Sequence, residues 1–191
     1  MTMYKLYLFI AALTLASCTT ILVQTTPETG MQEDPTERTA GAVVEDQAIE
    51  TKILVNLKSQ DPFFRDSRLQ VVSYNGVVLL AGQIATEELK ARATVIASQA
   101  STKIKRIHNE LNVSSNAGFA TRSSDAWIGT KARTMLMTSN DVPSAQINVV
   151  VENGALYLMG LISQEDGERA ANLVRNVSGV NRVVKVFEYI N

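Results

Sequence analysis

Cysteine, histidine and tryptophan each occur once in the 191 residues, and proline occurs four times. A single cysteine, Cys18, excludes a disulfide within the chain. A single histidine, His108, leaves no set of imidazoles to hold a metal or to run acid–base chemistry. Neither sign of charge dominates. The formal net charge is -1, which gives no basic footprint for nucleic acid. The apolar run at residues 6–16 is too short to cross a bilayer, which takes about 20 apolar residues. The hydrophobic content, 46%, is that of an ordinary globular protein.

The short run has instead the length of a signal-peptide core, with Lys5 before it. It ends in Leu15-Ala16-Ser17-Cys18, which resembles a bacterial lipobox. The resemblance implies that residues 1–17 are a signal peptide and that Cys18 takes a lipid on sulfur and becomes the mature N-terminus. Small residues fit the peptidase, and a thiol is the nucleophile that accepts the diacylglyceryl group. Loss of Lys5 would bring the net charge from -1 to -2. Acyl chains, palmitate among them, would anchor the chain firmly, at roughly 0.8 kcal/mol per buried methylene. Thr19 stands where lipoproteins kept in the inner membrane carry Asp, so the resemblance implies the outer membrane, facing the periplasm.

Residues 18–45 comprise the lipidated cysteine and a stretch rich in Thr, Pro, Gly and Glu without period, which reads as a flexible tether. The rest repeats. "DQAIETKILVNL" matches "DAWIGTKARTML", "YNGVVLLAGQI" matches "ENGALYLMGLI", and "IKRIHNELNV" matches "VNRVVKVFEYI", in the same order. Two copies of one small domain follow, at residues 46–113 and 125–191, joined by a Ser/Ala/Gly-rich linker at 114–124. Each is near the lower size for a self-stabilised core.

Within a copy, Asp46 or Asp125 is expected to N-cap a first helix. Ile49, Ile53 and Leu57, or Ile128, Ala132 and Leu136, recur at spacings of four and form its buried stripe. A hairpin follows, turning at Asn75-Gly76 or Asn153-Gly154, a pair suited to a type I′ turn. That turn sets Ser73 opposite Val78, Val71 opposite Leu80, Val151 opposite Leu156 and Val149 opposite Leu158, all facing the helices. Gly82 and Gly160 are expected at the strand ends, in a bulge or close backbone approach. The reverse faces (Val72, Val77, Leu79; Val150, Tyr157, Met159) are also apolar and should be covered by the other copy or a linker. A second helix has Glu87-Glu88 or Glu165-Asp166 in its first turn, and a last strand closes the unit.

The pattern of Asn153, Gly154, Leu156, Leu158 and Gly160, then a helix, then Gly179-Val180 and Val183, resembles the BON domain. Copy one departs from it with Lys103-Ile104 in place of Gly-Val. A lipobox followed by two such units is similar to the dual-BON outer-membrane lipoproteins of Gram-negative bacteria. The resemblance implies an α+β fold of two tandem BON domains, each helix-strand-strand-helix-strand with a three-stranded sheet on two helices. It also implies a non-enzymatic role in outer-membrane integrity, phospholipid binding and enrichment at the division septum.

No catalytic constellation accompanies this. Adjacent carboxylates on a helix point about 100° apart and do not converge, a hairpin turn does not open a helix N-terminus for phosphate, and no cofactor or metal is expected. The sole tryptophan is the informative residue. With Ile128 at zero on a helical wheel, Trp127 falls near about -100°, off the core stripe, beside Lys131 and Thr134, with Met137 and Arg133 further round. An outward indole between cations suits a membrane interface. Trp127, Lys131, Arg133, Thr134 and Met137 are therefore the expected contact for anionic phospholipid, phosphatidylglycerol or cardiolipin. The competing readings are packing of Trp127 against copy one or the linker, for instance near Phe119, and a protein contact. The corresponding rival function is an adaptor that regulates an envelope enzyme or an outer-membrane assembly machine through envelope protein partners.

Overall fold

The structure is a computed structural model and describes residues 37–190. The expected signal peptide, the lipidated Cys18 and the tether up to residue 36 lie outside the described residues. The chain divides into two units, residues 1–34 and 35–191. Both repeats belong to the second unit, and the cores described below close within it.

Repeat one opens with α1, Ala40–Gln60, whose N-cap is Thr39: its hydroxyl accepts from the Ala42 amide at 3.1 Å. This corrects the expectation that Asp46 caps the helix and that the tether runs to residue 45. Asp46 sits inside α1, 2% exposed. Ile49, Ile53 and Leu57 form the buried stripe beside it. Asp61 ends α1 in an extended conformation and caps the next helix, α2 (Pro62–Asp66), accepting from the Phe63 amide at 2.9 Å. Proline at the first helical position loses no bond there. The short helix inserts Phe64, fully buried, under α1.

Strands β1 (Leu69–Tyr74) and β2 (Val77–Ile84) form the hairpin in the expected register, with Val71 opposite Leu80 and Ser73 opposite Val78. Asn75 and Gly76 have φ of 52° and 78°, as a type I′ turn requires. Helix α3 (Glu87–Ser98) is capped by Thr86, and β3 (Arg106–Val113) pairs parallel to β2. The central strand of the sheet is thus β2.

Repeat two follows the same path through α4 (Phe119–Thr138), a 3₁₀ turn (Ser144–Gln146), β4 (Ile147–Glu152), β5 (Ala155–Ile162), α5 (Gln164–Val174) and β6 (Arg182–Tyr189). Helix α4 begins at Phe119, capped by Gly118. The end of the expected linker, residues 119–124, is therefore helical, and Asp125 is again buried inside the helix instead of capping it. Gly82 and Gly160 lie inside their strands, each two residues before the end, not at it. The close backbone approach is present: a Cβ would meet the Arg68 carbonyl at 2.0 Å and the Gln146 carbonyl at 2.3 Å respectively.

Three apolar cores result among the described residues. Two lie between each sheet and its own helices. The third joins the reverse faces of the two sheets, through Val77, Leu79 and Ala81 on one side and Val150, Tyr157, Met159 and Val186 on the other. The apolar reverse faces therefore cover each other, and the layers run helices, sheet, sheet, helices.

Candidate functional site

Helix α4 carries the candidate residues. Its inward stripe of Ile128, Ala132 and Leu136 is buried, so the rotation of the helix is fixed and its outward face follows. Trp127 is 62% exposed, Met137 75% and Phe119 77%. The core between the sheets contains none of them, so Trp127 does not pack into the contact between repeats. The ammonium of Lys131 lies 5.1 Å from the indole centroid, within range of a cation–π contact. The hydroxyls of Thr130 and Thr138 bond back to the carbonyls of Ala126 and Thr134, both at 3.0 Å. Those hydroxyls carry their acceptors with them, which lowers the cost of removing this face from water. Asp125 is the sole acid of α4 and is buried, so the exposed face carries no negative charge.

Arg133 parts from the group. Its guanidinium folds over Gly129, where a Cβ would stand 3.1 Å from Nη1, and Nη2 donates to the Val149 carbonyl at 2.6 Å. The five expected residues thus divide: Trp127, Lys131, Thr134 and Met137 lie on the outward face, and Arg133 turns toward the edge strand β4.

Beneath the outward face lies a feature that sequence reasoning missed. The carboxylate of Asp125 accepts from the Asn153 and Gly154 amides, both at 2.9 Å. Asp46 does the same for Asn75 (2.8 Å) and Gly76 (2.9 Å), and also binds the Ser73 hydroxyl at 2.6 Å and Arg38 at 3.0 Å. Each first helix is fastened to its own hairpin turn by a buried acid. The signal was the recurrence of Asp before each helical stripe, 29 residues ahead of one Asn-Gly and 28 ahead of the other.

The repeats are joined at their rims by charge. Glu152, 3% exposed, accepts from Arg68 Nε at 3.1 Å and Nη2 at 3.3 Å, and from Gln83 Nε2 at 2.8 Å. Gln83 Oε1 in turn accepts from the Ala117 amide at 2.9 Å, just before α4. Arg182 pairs with Glu110 and Lys105 with Glu188 across the same boundary. A cleft of about 340 Å³ lies there, and the acids that line it, Glu110 and Glu152, are both paired. Among the described residues no cluster of His, Cys, Asp or Glu could hold a metal ion, and no helix is long and apolar enough to cross a membrane.

His108 lies on β3, on the face that carries Leu79, and its Nε2 is buried without a hydrogen-bond partner among the described residues. Burial, helped by Arg106 and opposed by Glu110, holds its pKa below the usual 6.5. The unfolded chain therefore binds this proton more readily than the folded one, and stability falls as pH drops below about 6.5. The equivalent residue in repeat two is Val184, packed on the same central core. His108→Val is expected to remove the part of the Tm loss between pH 7.5 and 5.5 that this group causes. Equal losses in the two proteins would exclude His108 as its source.

The two repeats match the BON domain at residues 45–115 and 124–191, and the chain belongs to the BON domain family. Among characterised relatives, it is 35% identical over 153 residues to a 21 kDa hemolysin of Actinobacillus pleuropneumoniae, covering 80% of this chain and 78% of that one. It is 32% identical over 154 residues to the outer membrane lipoprotein DolP of Haemophilus influenzae, covering 81% and 79%. A solved structure, the C-terminal domain of CdsD from the type III secretion system of Chlamydia trachomatis, shares 17% identity over 76% of this chain and 67% of that one. Its TM-score of 0.30 is too low to bear on function.

Proposed function

We propose that this protein is an outer-membrane lipoprotein, anchored through Cys18 on the periplasmic side, whose second BON domain binds anionic phospholipid through α4. In this role it supports envelope integrity without catalysis, at the division septum among other places. The likeness to DolP supports the location. The observation that carries the lipid contact is the outward face of α4: an exposed indole, thioether and phenyl ring with a lysine over the indole and no acid. Indole and lysine favour the headgroup boundary. The face is short, so binding by it alone is weak, and the anchor strengthens it by raising the effective concentration.

The test uses the chain from Thr19 onward, which lacks the lipid and retains the whole of the second unit. Phosphatidylglycerol/phosphatidylcholine vesicles should bind it and pure phosphatidylcholine vesicles should not. Trp127→Glu should weaken binding at least tenfold while leaving the circular dichroism unchanged, because Trp127 supports no core. Raising salt from 0.05 to 0.5 M (concentrations chosen to bring the screening length from roughly 14 Å to below 5 Å) should also release the protein. Equal binding by wild type and variant, or none by either, would instead favour the adaptor acting through protein partners.

A further inference from the structure

The two sheets differ at the outer edges of their first strands. Each hairpin closes on a two-residue turn, so alternate residues of β1 and β4 point their backbone groups away from the pairing strand. Ser73 is one of these in β1, and α1 covers it: the Glu50 carboxylate accepts from the Ser73 amide at 2.8 Å. Val151 is the equivalent residue of β4. The helix position that corresponds to Glu50, four after the buried acid, is Gly129, which has no side chain to offer. The outward Val151 amide therefore has no acceptor among the described residues. It borders a groove of about 220 Å³ between α4 and β4, which Ala126 and Gly129 leave open down to the helix backbone. The Val149 carbonyl, on the same edge, is met by Arg133 at 2.6 Å.

The groove is also basic. Of the three arginines that line it, Arg68 is engaged by Glu152, whereas Arg122 and Arg133 have no carboxylate partner among the described residues. The lining acid, Asp125, is held by the turn amides of Asn153 and Gly154. Repeat one has no counterpart to this charge: Val43 and Leu54 stand where repeat two has Arg122 and Arg133. The two arginines are eleven positions apart, about 16 Å along α4, which is too far to close on one anion. The spacing matches two carboxylates on an extended chain. Such a chain rises roughly 3.3 Å per residue, so side chains four residues apart share a face at about 13 Å.

We infer that the open edge of β4 is a protein-docking site, to which an extended acidic segment of a partner protein adds as a further strand. The backbone groups of Val151 start the ladder. A carboxylate is a stronger partner for the Arg133 guanidinium than a carbonyl is, so the incoming strand draws Arg133 off Val149 and frees that carbonyl to extend the pairing. Proteins commonly cover such edges against unwanted strands, and Glu50 is the cover in repeat one. The flank of α4 above the edge, from Gly129 to Ala126, lies about 100–160° round from Ile128, whereas Trp127 and Lys131 lie near about -100° and -60°. Docking at β4 is thus separate from the lipid contact proposed above and does not depend on it.

The experiment follows backbone amide NMR signals of the chain from Thr19 onward, as wild type, Gly129→Gln and Arg122→Gln. Gly129→Gln supplies a side chain with the reach of Glu50 and no charge. The nearest atom to its Cβ, at 3.1 Å, is the far end of the Arg133 side chain, so the melting temperature should not fall. The probes are the blocked peptide Thr-Glu-Val-Thr-Val-Glu-Thr and its counterpart with Lys for both Glu. In free wild type the Val151 amide should exchange with solvent at least about tenfold faster than the Ser73 amide. The acidic peptide should shift the Val149 and Val151 signals and slow Val151 exchange. Its affinity should fall about threefold in Arg122→Gln and at least about tenfold in Gly129→Gln. The inference is overturned if the acidic peptide leaves those signals unmoved, if the lysine peptide binds as well, or if folded Gly129→Gln binds as wild type does. Should Gly129→Gln melt early, Arg122→Gln and the lysine peptide decide. The same shifts on raising protein concentration alone would also overturn it, because the occupant would then be a second copy of this chain.

Discussion

Replacing Asp46 with alanine is expected to destabilise the protein by about 3–5 kcal/mol, close to the whole margin of a small domain. The substitution strands the Asn75 and Gly76 amides and the Ser73 hydroxyl, which now share one carboxylate. An unmade bond to a buried polar group costs roughly 1–3 kcal/mol, and the acceptor here is ionised. Arg38, which also meets Asp46, is part-exposed and adds little. Had Asp46 been an ordinary N-cap, the loss would be about 1 kcal/mol. Urea unfolding of the chain from Thr19, followed by circular dichroism and by Trp127 emission, separates the two cases. Because Trp127 belongs to repeat two, its emission also shows whether the second repeat unfolds with the first. A loss under about 1 kcal/mol would mean that the buried acid does not hold the turn.

An effect of similar size is expected for Gly82→Ala. Gly82 has φ of +123°, and a Cβ there would lie 2.0 Å from the Arg68 carbonyl oxygen. That carbonyl cannot retreat cheaply, because it accepts the Gln83 amide at 2.8 Å. Backbone strain of this kind costs on the order of 1–3 kcal/mol before the collision is counted. The expected total is at least about 3 kcal/mol, or failure to accumulate as folded protein. The disturbance also reaches the contact between repeats, since Gln83 and Arg68 both bind Glu152. Gly118→Ala is the control. Nothing lies within 4 Å of its Cβ position and its φ is -70°, so its melting temperature should change little.

The repeat, the hairpin register and the buried helical stripes were legible because each rests on local chemistry: Asn-Gly for the turn, spacings of two for the strands and of four for the helices. The covering of the reverse sheet faces was legible too, since Val77, Leu79, Tyr157 and Met159 are too apolar to face water. The misreadings have identifiable causes. An aspartate ahead of an amphipathic stripe looks the same whether it caps its own helix or a turn 28 or 29 residues away. Only the fold brings Asn75 and Asn153 to those carboxylates. The path of the Arg133 side chain was hidden for a related reason. A helical wheel fixes where the Cα lies, whereas the long side chain followed an open path over Gly129 to the β4 carbonyl. The linker was read as too long because "FATRSS" lacks a capping side chain, and α4 begins at a bare glycine N-cap.

The back-to-back sheets have a consequence for how many things the molecule can touch at once. The two helical layers point away from each other across a sheet pair roughly 10 Å thick. A flat bilayer can meet only one of them. With α4 on the membrane, α1 and α2 face the opposite way, presenting Phe63 and Val55, which are 64% and 59% exposed. Occupants of the two layers would not collide. Unless the shared sheet interface transmits strain, binding on one layer should leave affinity at the other unchanged, and by linkage the reverse must hold equally.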